Sequence, residues 1–227
     1  MAHPKGGYKL DGERVPGTTT ITGRFADKGG LMYWAFNQGK LAEKGEIESL
    51  YDKRDEAAES GTLAHAMIES YIKNTALQDH EDVTGDESEE VVRQAVKGYK
   101  NALNWLEQSR IEIVLTEPQL ISKEHRFGGS PDAIGKDTEG RYCLLDWKTS
   151  SGLYPDYLVQ VGGGYVLLCD ECLPEYPITG GIHICRFSKE FGDFHHHYFD
   201  DLPEAREQFL LFRQAYENDK LLKRRAK

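Results

Sequence analysis

Two acids and a lysine stand at spacings suited to hydrolysing a phosphodiester. Asp132 ends the run Gly128-Gly129-Ser130-Pro131-Asp132, and Asp146 and Lys148 lie in Leu144-Leu145-Asp146-Trp147-Lys148-Thr149. The flanking residues predict adjacent strands of a hairpin, and side chains two apart on a strand share a face. Asp146 and Lys148 are therefore expected on one face with Tyr142 and Leu144, and Cys143, Leu145 and Trp147 on the other. An acid and a lysine sent inward together are costly unless they are paired or engage a metal ion. Carboxylates suit Mg²⁺ or Mn²⁺, which take hard oxygen ligands. Such an ion lowers the pKa of a bound water and neutralises charge building on a phosphate, while a lysine orients the water or stabilises that charge. Alone, the pattern is short and degenerate, and an ordinary charged surface strand pair would also produce it.

Three neighbours strengthen it. His65 and Glu69 are four apart on a predicted helix and share a face. A neutral imidazole can serve as a further ligand, although a lone helical histidine is more often structural. Gln160 follows Lys148 on a predicted helix that Tyr157 opens, with Tyr165 further on; an amide and a phenol there suit a phosphate or the lysine. Glu117 precedes Asp132 on a strand and faces either the same cleft or solvent. Thr149 and Ser150, just past the lysine, and the upstream Tyr33 and Trp34 are candidate DNA contacts, since aromatic rings stack on unpaired bases. At helical spacing, Tyr33, Trp34 and Phe36 fit a core better. Cys169 and Cys172, with Cys185 and a histidine such as His183, have the composition of a zinc site, but buried small hydrophobes are the favoured reading. His195, His196 and His197 are expected on a sheet surface, the outer two on one face. The basic end, Lys220 to Lys227, could track a phosphate backbone or simply complement a helix dipole.

These residues need a frame. Residues 1–25 read as an irregular lead-in with an extended piece at Thr18–Thr22, and Leu31–Leu50 as a helix weakened by Gly39 and Gly45. A second helix is expected after Ser60-Gly61-Thr62, a solvated acidic loop at residues 78–90, and a third helix from Glu90 to Gln108. Then come β-rich Ile111–Ile121 broken by Pro118, a turn at Gly128-Gly129, strands at Ser130–Ile134 and Tyr142–Thr149, a helix over 155–169, strands at Ile178–Phe187 and Phe194–Phe199, and a last helix from Pro203. The order predicts a small mixed sheet flanked by helices in one domain, 1–227: mainly helical to 110, a sheet core over 111–200, and a terminal helix over 201–227.

The chain has 227 residues, 39% of them hydrophobic, enough for a proper core. Its formal charge of −10 argues against coating nucleic acid by bulk charge, though not against a local, metal-assisted grip. No apolar stretch approaches a membrane span and no secretory leader is evident, so a cytoplasmic protein without membrane attachment is expected, with reduced thiols.

Together, Gly61-x-x-x-His65, Pro131-Asp132, Asp146-x-Lys148-Thr149 and the glutamine-bearing helix resemble the PD-(D/E)XK nuclease superfamily, in its RecB-like branch. With Val15-Pro16-Gly17-Thr18-Thr19-Thr20-Ile21 and Leu31-x-x-Trp34-Ala35, the chain is similar to mitochondrial genome maintenance exonucleases and phage exonucleases over roughly residues 15–200. The resemblance implies a restriction-endonuclease-like α/β core with an N-terminal helical arch over the cleft. It implies an Mg²⁺-dependent DNA exonuclease acting on single strands or free ends and leaving 5′-phosphates, in replication, recombination or repair, in a bacterial or phage-infected cell and beside viral or cellular replication proteins. His65, Asp132 and Asp146 would hold the metal, with the Trp147 carbonyl; Lys148 would be the catalytic lysine, Gln160 the motif glutamine, and Glu117 a further acid of the cleft. The family spacing is Q-x-x-x-Y. This chain has Gln160-Val161-Gly162-Gly163-Gly164-Tyr165, one residue longer, with Gly164 where the tyrosine belongs. Some relatives carry an iron–sulfur cluster, which is not expected here because no cysteine precedes His65. A structure-specific endonuclease of the same core, and a non-catalytic nucleic-acid-binding protein, are the rival readings.

Overall fold

The computed structural model describes residues 4, 6–47, 49, 52–80, 83–187 and 193–226. A short hairpin of β1 (Lys9–Leu10) and β2 (Glu13–Arg14) leads into α1 (Thr18–Phe25), α2 (Gly29–Glu43), α3 (Asp52–Lys73), a single 3₁₀ turn at Leu77–Asp79, and α4 (Glu89–Ser109). Ser88 caps α4, its hydroxyl accepting from Val91 N at 3.3 Å, with Glu89 and Glu90 in the first turn. Both features offset the unpaired amides and positive end of the helix. Arg110, at φ 55°, ends it in the left-handed region.

The strands follow: β3 (Glu112–Thr116), β4 (Leu120–Ser122), β5 (Phe127–Gly129), β6 (Ala133–Lys136) and β7 (Tyr142–Lys148). A helical crossover comes next: α5 (Pro155–Leu158), a π-helical turn (Val159–Tyr165) and α6 (Val166–Cys172). It returns the chain to β8 (Ile178–Phe187), β9 (Phe194–Phe199) and α7 (Pro203–Arg225). The central five-stranded sheet runs β3-β6-β7-β8-β9, antiparallel throughout except for the parallel β7–β8 pair. β4 and β5 form a separate pair.

The two-residue period of β7 builds two cores. Leu144 faces one, with Ile134, Ile182 and Ile184 of the sheet against Val161, Tyr165 and Leu168 of the crossover and Phe209 of α7. Cys143, Leu145 and Trp147 face the other, with Cys185 and Phe187 against Leu63 and Ile68 of α3 and Val91, Ala95 and Trp105 of α4. This is a mixed sheet flanked by helices, the expected class, and it is consistent with a restriction-endonuclease-like fold.

Several local expectations fail for identifiable reasons. Thr18–Thr22 is helical, not extended: Thr22 Oγ1 bonds back to Thr18 O at 3.3 Å, and Ile21 fills the first core, so packing overrides β-branched propensity. α3 starts at Asp52, a full two turns before Ser60-Gly61-Thr62, which lies inside it. α2 ends at Glu43, short of Leu50, a residue outside those described. Gly128-Gly129 belongs to β5, not a turn, because the Tyr8 side chain occupies the place where a Gly128 side chain would go. The next strand starts at Ala133, not Ser130. Tyr33 and Phe36 are not core: Tyr33 is 70% exposed and Phe36 60%, while Trp34 is half-buried. Cys169 packs into the first core and Cys185 into the second, on opposite sides of the sheet, which rules out one zinc site uniting them.

Candidate active site

The end of β7 carries the chemistry. Asp132, just before β6, reaches across so that its Oδ2 accepts from the Trp147 amide at 2.7 Å. This bond joins the two predicted acid segments. Asp146 is 0% exposed, Asp132 2% and Lys148 7%. Lys148 Nζ lies 2.7 Å from Asp146 Oδ2, donates to Gln160 Oε1 at 3.3 Å and sits 5.1 Å from the centre of the Tyr157 ring. Gln160 Nε2 in turn donates to the Tyr165 hydroxyl at 2.8 Å. His65 Nδ1 stands 3.6 Å from Asp132 Oδ1. His65, Asp132, Asp146, Lys148, Gln160 and Tyr165 thus converge from α3, the β6 approach, β7 and the crossover.

Burial dominates the electrostatics. It pushes the Asp146 carboxyl up to about 6, and Lys148 offsets only part of this. Asp132 is also raised by burial, against the pull of Lys148 and the Trp147 amide. Burial alone would lower the Lys148 ammonium, but Asp146 and Asp132 outweigh it and the net direction is up. Ionised together, the two acids would exceed the one ammonium beside them in a desolvated site.

Among the described residues, no group of three His, Cys, Asp or Glu side chains forms a ready-made metal cage. The donor chemistry nonetheless fits a hard divalent cation: Asp132 Oδ1 and Asp146 Oδ1 are buried acceptors without a hydrogen-bond partner. A divalent cation held there would offer these oxygens a partner and offset negative charge.

Other candidates play different parts. Glu117 is half-buried at φ 47°; its amide donates to the Asp132 carbonyl at 3.0 Å, and its charge adds a small push to the Tyr8 phenol, which burial chiefly raises. Glu69 shares the His65 helix but is bound by Lys73 and by His80 Nε2, the latter at 2.6 Å. Thr149 and Ser150 are half-buried just past the lysine; the Ser150 hydroxyl donates to Gly152 O at 2.8 Å. Tyr33 and Trp34 lie on α2.

Two contributors, Tyr8 and Arg186, had no motif to announce them, whereas Tyr157 was among the expected neighbours of the lysine. Tyr8 bonds Ser130 Oγ at 3.2 Å, two residues before Asp132. Tyr157 backs the ammonium with its ring. Arg186, opposite Lys148 in the β7–β8 register, donates to Ser150 O at 3.0 Å and to Asp193 Oδ2 at 2.5 Å, pinning the segment that leaves the lysine. A charged residue in the apolar run of β8 was the available signal for Arg186.

No protein-family model matches the chain, and neither does any curated protein. Among solved structures it is similar to a protein described as an exonuclease from Eubacterium rectale, with 13% identity, 71% of this chain and 66% of that one covered, and a TM-score of 0.47. It is also similar to an alkaline exonuclease from Laribacter hongkongensis, with 11% identity, 73% and 91% covered, and a TM-score of 0.42. The same alkaline exonuclease in complex with dAMP gives 14%, 75% and 95%, and 0.40. The chain spans just under two thirds of the first of these.

Proposed function

We propose that this protein is an Mg²⁺-dependent deoxyribonuclease that hydrolyses phosphodiester bonds as an exonuclease on single strands or free DNA ends. The observation that carries the reading is the buried pair Asp132 and Asp146, each with an acceptor oxygen lacking a donor, beside the ion-paired ammonium of Lys148. Asp132 and Asp146 would hold the cation, which Mn²⁺ could replace, with His65 and the Trp147 carbonyl as further donors; the ion would supply an acidified water and charge neutralisation at the phosphate. Lys148, held at a fixed point, provides positive charge where the transition state gathers negative charge. The Trp147 amide holds Asp132 Oδ2 in place, which would leave Oδ1 as the oxygen for a cation.

The grip on DNA would be local, given the overall charge of −10. Two adjoining grooves, of about 480 and 270 Å³, share Tyr216 and Lys220 as a common wall. Arg14 lines the first, and Arg24, Lys223 and Arg224 the second, where Asp219 is the one carboxylate. Tyr8 also lines the first groove and bonds Ser130, two residues before Asp132 in sequence. A phosphodiester backbone suits such a lining.

A time course on DNA labelled at each end in turn, single- and double-stranded, with and without Mg²⁺, tests the reading. Mg²⁺-dependent release of label from an end is expected. Cutting of closed circular single strands would instead identify an endonuclease, and intact DNA under every condition would overturn nuclease activity.

A further inference from the structure

The chain has one residue more between Gln160 and Tyr165 than the four-residue step of an α-helix allows. In an α-helix five residues advance about 1.4 turns, so a side chain at i+5 points well away from one at i. Here the backbone takes a π-helical turn over Val159–Tyr165, with the Val166 amide reaching back to Val161 O, and the extra residue is absorbed. The consequence is the 2.8 Å bond from Gln160 Nε2 to the Tyr165 hydroxyl, in a site where Gln160 is 5% exposed and Tyr165 1%.

We propose that Tyr165 is a positioning residue that acts on Lys148 through Gln160, and that the π-helical turn brings its hydroxyl within reach. The proposal rests on the reading of Lys148 as the ammonium of the reaction. A lysine only donates, so Gln160 can hold it only by presenting its carbonyl oxygen. An amide is nearly symmetric in shape and has no intrinsic reason to present oxygen rather than nitrogen. The Tyr165 hydroxyl takes the amide nitrogen and fixes the choice, leaving Oε1 for Lys148 Nζ at 3.3 Å. The Tyr165 ring is itself locked in the first core, where the place of a Gly129 side chain would lie 3.0 Å from its Cε1. Core packing is thereby passed, by way of one amide, to the position of the ammonium. A phenylalanine would fill the core as well, so the hydroxyl is the feature that packing leaves unexplained.

The test is Tyr165→Phe, alone and in a Gln160→Met background. On Mg²⁺-dependent cleavage of labelled single-stranded DNA, kcat is expected to fall about fivefold or more, as for the loss of one buried hydrogen bond, with KM little changed. Labelling of Lys148 by an amine-directed reagent, quantified by mass spectrometry against the exposed Lys100, is expected to rise. In the Gln160→Met background the second substitution should add nothing to either readout. Wild-type kcat and Lys148 labelling in Tyr165→Phe would overturn the proposal. So would a loss that is equally large in the Gln160→Met background, because the hydroxyl would then act by another route. If the wild-type chain cuts no DNA, the nuclease reading fails, and the labelling of Lys148 across the same variants still decides the relay.

Discussion

Burial raises the carboxyls of Asp132 and Asp146, and their replacement separates chemistry from folding. Asp132→Asn keeps an oxygen for the Trp147 amide. It removes one of two buried acids, so cleavage should vanish while the metal-free Tm holds or rises, by about 2–4 °C per 1 kcal/mol relieved in a chain of this size. Thermal scans and cleavage assays on the same preparation check both halves. Lys148→Ala should cost on the order of 10²- to 10³-fold in kcat, as for removal of a fixed donor to a developing oxyanion, measured in single-turnover assays. The pH dependence has a definite sign. The Asp146 carboxyl is raised from 3.8 to about 6. The stability linked to its proton is therefore fully present below about pH 4 and is lost as the pH rises through about 6. Mg²⁺ competes with that proton, so the Tm gain from Mg²⁺ should be small near about pH 5 and large near about pH 7.5. An equal gain at both would show that the cation does not sit on these acids.

At the scale of the element, the strands of the central sheet and the faces of β7 were legible because a strand's period of two leaves few alternatives, and the acids and lysine came with them; the order of the strands in the sheet was not. The three glycines of the crossover were not legible. Their sequence permits either close approach to DNA or tight packing, and only the fold decides. A side-chain carbon on Gly163 would lie 2.4 Å from the Ala205 carbonyl oxygen of α7, and one on Gly164 2.4 Å from the Thr18 side chain of α1. The glycines are contact points for two helices. Gly163→Ala meets backbone, which cannot swing aside, and should destabilise by about 1–3 kcal/mol, read as a lower urea midpoint. The role of Thr18–Thr22 was hidden for a related reason. β-branched residues signal strands, yet Thr18 Oγ1 donates to Gly128 O at 3.0 Å and anchors a helix to β5. Tertiary partners 110 residues away leave no local trace.

Across the whole molecule, a chain of net charge −10 must gather its cations if it is to hold a polyanion. Lys220 and Lys223 line the groove wall between α1 and α7. Lys220→Glu with Lys223→Glu should weaken single-stranded DNA binding and reduce the slope of log affinity against log salt by about 1 for each phosphate no longer engaged. Titrations at several salt concentrations measure this, and an unchanged slope would remove the groove from the DNA path. The parallel pairing of β7 with β8 has a consequence of its own. Asp132, Asp146, Lys148 and Gln160 all leave the ribosome before β8 does. The strand that carries two of them cannot be flanked on that side until residues 178–187 have followed. A nascent chain that ends short of β8 therefore already carries all four of these side chains, while the strand that bears Asp146 and Lys148 still has one edge open.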